Sequence, residues 1–197
     1  MIRTIVRTIA GAVILTVAFG LVYPVVMTGF AQLAFKDKAN GSLITVSGHV
    51  VGSRLAAQEF TKPQYFHDRL SATAPAYNAA GTTFSNLGPT SPELRAQVKK
   101  QIAAIMKLEG PYNPGLSVGE IPVDAVTTSG SGIDPDITAA YAHLQARRIA
   151  AVRGIPLATV DRLISDNTDG RSLGFLGEPG VNVLELNLAL DRLKGGL

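Results

Sequence analysis

The chain has 197 residues, 18 Lys and Arg against 15 Asp and Glu, and neither Cys nor Trp. This length carries one ordinary core, and the missing cysteines exclude disulfide frameworks, thiolate nucleophiles and Cys-based zinc sites. The mild positive charge is scattered, with Lys99-Lys100 and Arg147-Arg148 as the only tight basic pairs. That is too thin a stripe for a nucleic-acid surface, and no nucleic-acid partner is expected.

No charged residue lies between Arg7 and Lys36, and Thr8 to Met27 reads TIAGAVILTVAFGLVYPVVM. About 20 apolar residues in a helix cross a bilayer core, so residues 1–35 are expected to form a single transmembrane anchor helix. A cleaved signal peptide competes: its apolar region is only about 7–15 residues long, and Gly29-Phe30-Ala31 would suit a cleavage site. The length of the run favours an uncleaved anchor. Arg3 and Arg7 precede the span while Lys36 and Lys38 follow it, so charge asymmetry is weak. The signal-anchor form places the amino terminus in the cytoplasm and residues 36–197 outside it. Pro24 removes one backbone hydrogen bond from the span. Gly11, Ala12, Ala18 and Gly20 permit close packing on a neighbouring helix, with membrane lipid as the alternative neighbour.

Beyond the span, Gly41 to Ser53 alternates short apolar runs with glycine turns and predicts a strand pair. Arg54 to Phe60 reads as a short helix, and Ser71 to Pro89 as a long ordered loop. Ser91-Pro92-Glu93 opens the clearest helix, with Ser as N-cap, Pro in the first turn and Gly110-Pro111 as the stop. Leu94, Val98, Ile102 and Ile105 form its apolar face. Ile121 to Val126 reads as a strand with Pro122 at its start. Asp134, Pro135 and Asp136 suit the start of a helix that ends at Gly154, with Ile137, Ala140, Tyr141, Leu144 and Val152 spaced along it. Pro156 starts another helix through Ile164, and Gly170 to Gly180 is a glycine-rich connector. The tail, Val181 to Leu193, alternates leucines as a strand would, but its length and Asn182 as a cap favour a helix, with Leu184, Leu188 and Leu190 as core or interface residues in either case. The fold class is α+β: one anchor helix, residues 1–35, followed by one mixed domain, residues 36–197.

The chemistry-bearing stretch is VTTSGSGIDP, Val126 to Pro135. A glycine-rich turn feeding a helix start offers free N–H groups to an anion, but Walker and dinucleotide spacings are both missing. The order S-G-S-G is not the G-x-S-x-G elbow, so Ser129 and Ser131 support a serine hydrolase only weakly. No pair among His49, His67 and His143 has metal-ligand spacing, and no metal is expected. A tight structural turn, with Gly130 and Gly132 supplying positive φ or close approach, remains the competing reading of the loop.

YFHDRLSA (Tyr65 to Ala72), SNLGPTSP (Ser85 to Pro92), PVDAVTTSGSGIDP (Pro122 to Pro135) and LGEPGVNVLELNLALD (Leu176 to Asp191) occur in this order after a single span. The chain thereby resembles the C subunit of the bacterial Kdp potassium-transporting P-type ATPase over nearly its whole length. It departs from the family pattern at Asp68 and Leu70, where Gly and Pro are usual, and at Asp136 and Ala139, where His and Pro are. The resemblance implies a single-pass accessory subunit of the cell inner membrane with a periplasmic domain. The implied partners are a channel-like potassium-translocating subunit, a P-type ATPase subunit that hydrolyses ATP, and a small single-span subunit. No DKTG phosphorylation motif or selectivity-filter repeat is present, so a non-enzymatic role is implied, with no tightly bound cofactor. Two roles follow from the resemblance: a catalytic chaperone raising the ATP affinity of the ATPase subunit, or a cap on the extracytoplasmic potassium entrance that stabilises the assembly. In the first, Ser129, Gly130, Ser131, Gly132 and Gln145 would contact a shared ATP. Outside the family, an anchored extracytoplasmic serine hydrolase is the alternative.

Overall fold

Pro24 cannot donate a backbone hydrogen bond to Gly20, and the helix around it is irregular for that reason. In the computed structural model, which describes residues 1–193, α1 (Ile2–Val17) passes through a π turn (Ala18–Val22) into α2 (Tyr23–Ala34). The Tyr23 N–H donates to the Ala18 carbonyl, five residues back. The widened turn takes up the missing bond and makes room for the proline ring. The helical run from Ile2 to Ala34 has 33 residues, which at about 1.5 Å each is longer than the roughly 30 Å of a hydrocarbon core. No residue of α1 or α2 is buried. By length and composition this helix is able to cross a membrane. A single turn, α3 (Lys36–Ala39), follows, and this unit closes at Leu43.

The second unit starts at Ile44. The expected strand pair is present as β1 (Leu43–Val46) and β2 (His49–Ser53). Ser47 and Gly48 join them, both at positive φ, the turn that matches the twist of a hairpin. The next expected helix is not formed: Arg54 to Phe60 is a turn and an extended segment. Its polar groups have better partners elsewhere, because Ala57 N–H donates to the Ile133 carbonyl and Gln58 Nε2 to the Val51 carbonyl. Residues 71–89 form a loop as expected, without helix or strand.

α4 (Pro92–Glu109) begins at the Ser91 cap, whose hydroxyl accepts from Leu94 N–H, and ends at Gly110. Of its expected apolar face, Ile105 is buried and Val98 and Ile102 pack on the core, while Leu94 is half-buried outside it. The expected strand at 121–126 is instead a helical turn, α5 (Val123–Val126), with Pro122 as its N-cap. Six residues are too few for periodicity to separate strand from helix. Tertiary contacts decide: Ile121, Ala125 and Val126 are buried together, and the Asp124 carboxylate accepts from the Thr138 N–H and hydroxyl.

Asp134 likewise caps no helix. Asp136–Ile137 is a strand, β3, and α6 (Ala139–Arg153) starts two residues later, with the Thr138 hydroxyl accepting from Tyr141 N–H. Ala140 and Val152, expected on the apolar face, are exposed, whereas the stop at Gly154 (φ +65°) is as expected. α7 (Leu157–Asp166), β4 (Thr168–Asp169), β5 (Gly180–Asn182) and α8 (Val183–Arg192) complete the domain. β5 lies between β3 and β4, antiparallel to both, with Ile137 opposite Val181 and Thr168 opposite Val181 on the other side. The tail is a helix capped by Asn182, whose side chain accepts from Glu185 N–H. Leu184 and Leu190 are in the core, one of the two places expected for them, together with Leu186; Leu188 is half-buried and so outside the core. Alanines on α6 (Ala142, Ala146 and Ala150) let it lie at the centre against Val160 and Ile164 of α7 and Leu186 and Leu190 of α8. The described residues form an anchor-length helix and an α+β domain, the fold class expected.

Candidate functional site

The stretches Tyr65–Ala72, Pro122–Pro135 and Leu176–Asp191 converge on one another through buried polar side chains. Residues 62–65 form a turn, with Tyr65 N–H donating to the Lys62 carbonyl, and residues 66–69 follow without regular structure, so their remaining backbone groups need partners, and four side chains of α6 and α8 supply them. Phe66 N–H donates to Asn187 Oδ1 at 2.8 Å and Phe66 carbonyl accepts from Asn187 Nδ2 at 3.0 Å. Gln145 does the same for the next residue: Oε1 accepts from His67 N–H at 2.8 Å and Nε2 donates to the His67 carbonyl at 3.1 Å. Arg148 donates to the carbonyls of Pro63 and Tyr65 and to Gln145 Oε1, and Arg153 to the carbonyl of Gln64 at 2.7 Å. The two amides act as a strand would, each closing a pair of backbone bonds on one residue.

Charges anchor this strap. Arg148 and Glu109 form an ion pair at 2.8 Å with their side chains 0% and 2% exposed. Burial raises the Glu109 carboxyl above its usual range, and Arg148 opposes that rise. Arg153 pairs with Asp191 at 2.8 Å, and Asp191 also accepts from the Tyr65 hydroxyl. His67, half-buried beside the Arg148 guanidinium, has its pKa lowered to about 4, chiefly by desolvation and then by Arg148; it is neutral at pH 7.

The strap leads into the serine-glycine loop. Ser129 N–H donates to the Leu70 carbonyl, and Leu70 and Thr128 form a parallel bridge. Ser129 is 2% exposed and its hydroxyl accepts from Gly132 N–H at 2.9 Å. The Ser131 hydroxyl accepts from Ile133 N–H at 3.2 Å. Gly132 has φ +74°, and a Cβ there would lie 2.7 Å from Thr73 Cγ2 and 2.8 Å from the Thr83 carbonyl. Ser71 donates to the Gly132 carbonyl at 2.6 Å and accepts from Tyr77 N–H. Arg69 pairs with Asp134 at 2.8 Å and donates to the Thr128 carbonyl. The positive φ expected of both glycines belongs to Gly132 alone; a Cβ on Gly130 would meet nothing within 4 Å.

Asp68, between strap and loop, is buried, and neither carboxylate oxygen has a hydrogen-bond partner among the described residues. Desolvation raises its pKa well above the usual range. The nearby Gln58 N–H partly offsets the rise, and Asp134 and Asp136 add to it.

Ser129, Gly130, Ser131 and Gly132 therefore share one loop, while Gln145 joins the strap and has no hydrogen bond to that loop among the described residues. Neither serine hydroxyl is paired with a histidine: His67 Nε2 faces the Lys62 carbonyl and His143 pairs with Asp161. The hydrolase alternative finds no support in this arrangement. No group of three or more metal-ligating side chains occurs among the described residues. Arg148, Arg153, Asn187 and Ser71 are absent from the expected site. A signal for two of them was present: Arg148 falls on the buried face of α6 one residue before Ile149, and Asn187 beside Leu186 on that of α8, polar residues where the helical period demands apolar ones.

Residues 5–192 match the sequence model described as K+-transporting ATPase, c chain. The chain belongs to the KdpC family. Curated relatives agree over at least nine-tenths of their lengths. The Potassium-transporting ATPase KdpC subunit of Burkholderia vietnamiensis is 52% identical, over 93% of this chain and 93% of its own. That of Koribacter versatilis is 46% identical over 97% of this chain and 95% of its own. That of Mycobacterium tuberculosis is 48% identical over 98% of this chain and all of its own. Three of the four stretches that carry the family resemblance are thus the ones that clasp each other: Tyr65–Ala72, Pro122–Pro135 and Leu176–Asp191.

Proposed function

We propose that this KdpC-family chain is a non-catalytic accessory subunit of an ATP-driven potassium import complex, in which a partner subunit hydrolyses ATP. The helix Ile2–Ala34 anchors it as a single span in the cell inner membrane. Its amino terminus is cytoplasmic and the domain after the span is periplasmic. The partners are the channel-like potassium-translocating subunit, the P-type ATPase subunit and the small single-span subunit, with membrane lipid around the span. The domain's role is scaffolding: it stabilises the assembly and caps the extracytoplasmic potassium entrance.

The observation that carries the scaffold reading is the closure of the serine-glycine loop on itself. The Ser129 hydroxyl is buried against Gly132 N–H, Ser131 faces Ile133 N–H, and the nearby cation, Arg69, is neutralised by Asp134. Phosphate binding asks for free N–H groups and uncompensated positive charge. One observation favours the catalytic-chaperone reading, with ATP contacts from Ser129, Gly130, Ser131, Gly132 and Gln145: Gly130 and Ser131 at the loop tip are exposed. Potassium-dependent ATP hydrolysis by assembled wild-type and Ser131→Ala complexes separates the two. The scaffold reading expects an unchanged KM for ATP. A markedly raised KM with normal subunit content would transfer the loop to the nucleotide site. Because the chain has no cysteine, Thr90→Cys on the exposed loop gives a unique label. A membrane-impermeant maleimide should reach it from the outside; labelling only after lysis would reverse the orientation.

A further inference from the structure

The connector between β4 and β5 holds large apolar side chains out in solvent. Leu173, Phe175 and Leu176 are 82%, 67% and 50% exposed. The loop that carries them is a shaped one. Ser172 and Leu176 exchange both backbone hydrogen bonds, at 2.8 and 2.9 Å, as an antiparallel bridge. Leu173 has φ +55°, with Gly174 and Gly177 at +81° and +82°. A non-glycine residue is strained in the left-handed region, and here the turn holds the Leu173 side chain out in solvent. At the neck, Arg171 Nη2 donates to both carboxylate oxygens of Glu178, at 2.9 and 2.7 Å. The two charges cancel, so the tip presents apolar surface with no net charge.

Three occupants compete for such a tip. A second copy of the chain is disfavoured by area: the three side chains offer roughly 350 Å², less than half of the about 800 Å² per partner that a stable interface buries. The bilayer is disfavoured by the backbone, because the carbonyls of Leu173, Gly174 and Phe175 accept no hydrogen bond among the described residues, and hydrocarbon cannot satisfy them. The cancelled charges also give no attraction to anionic headgroups. A protein socket supplies both apolar contact and donors. The small area suffices when other contacts and a membrane span already hold the two proteins together, since the local concentration is then high.

We propose that the tip Leu173–Leu176 seats in an uncharged apolar socket on a partner subunit of the same transport complex. This rests on the reading of the chain as a subunit. The test uses the full chain co-expressed with its transport partners, one of which carries the affinity tag. With p-benzoylphenylalanine in place of Phe175, irradiation of intact membranes should give a covalent adduct whose peptide map lies in a partner subunit. Leu173→Ser with Phe175→Ser should lower recovery of the chain with the tagged partner about tenfold, a loss typical of anchor residues. Its thermal melting should stay unchanged, both residues being exposed. An adduct with lipid alone, an adduct with a second copy, or no adduct in a complex of normal composition overturns the proposal, as does full recovery of the double variant. If the wild-type chain does not co-purify with the tagged partner, it is the subunit reading that fails, and the inference falls with it.

Discussion

Replacing Arg148 by Met is the sharpest test of the strap. The guanidinium donates to Glu109 Oε1, the carbonyls of Pro63 and Tyr65 and Gln145 Oε1, and its side chain is fully buried. Methionine fills most of the volume but leaves the Glu109 carboxylate buried without its counter-charge, a loss of about 3–5 kcal/mol. The freed Pro63 and Tyr65 carbonyls add about 1–3 kcal/mol if they stay dry. Domains of this size have only about 5–15 kcal/mol in hand, and each kcal/mol shifts Tm by about 2–4 °C. The melting temperature of the full chain in detergent, followed by near-ultraviolet circular dichroism, should therefore fall on the order of 10 °C. Adding Glu109→Leu removes the stranded charge and should restore much of the loss. A fall below about 2 °C, or a double variant no better than the single one, would show that the ion pair does not hold the strap.

Other expectations follow from individual residues. Gly132→Val should cost about 2 kcal/mol or more of stability, from positive φ and collision with Thr73 and Thr83, whereas Gly130→Ala should leave Tm within about 2 °C; equal effects would refute the assignment of the turn. His67 is held neutral in the fold, so the stability it contributes is fully present above its unfolded pKa of about 6.5 and is lost as pH falls through about 4. Asp68 has the opposite sign: its raised carboxyl contributes stability present below the unfolded pKa of about 4 and lost as pH rises through the folded value. Asp68→Asn should abolish that decline and steepen the acid side that His67 governs, read from denaturant midpoints across pH; an unchanged profile would refute it. Leu190→Ala, at a fully buried site, should cost about 2–5 kcal/mol and Leu188→Ala distinctly less; the reverse order in chemical denaturation would refute the helical register of the tail.

Features governed by neighbouring residues were legible in the sequence. The uncharged run before Lys36, the Ser91-Pro92 helix start, Gly154 as a stop, and Asn182 as a cap depend on local hydrophobicity or on hydrogen bonds within one turn, so their signals lie within a few positions. The short elements were not legible. Val123–Val126 is helical because Asp124 must reach Thr138 and Ile121 must reach the core, and the helix after the serine-glycine loop begins at Thr138 because Asp136–Ile137 pairs with β5. A few residues have too little intrinsic preference to resist such contacts. The same reason hid the strap. Nothing in YFHD announces that its backbone will be completed by Asn187, Gln145 and Arg148, which lie 121, 78 and 83 positions away. The sequence by itself determined the long apolar helix, the family and where the serine-glycine loop falls in the chain; only the tertiary structure decided which polar side chains hold that loop in place, because buried hydrogen bonds are satisfied in space and not along the chain.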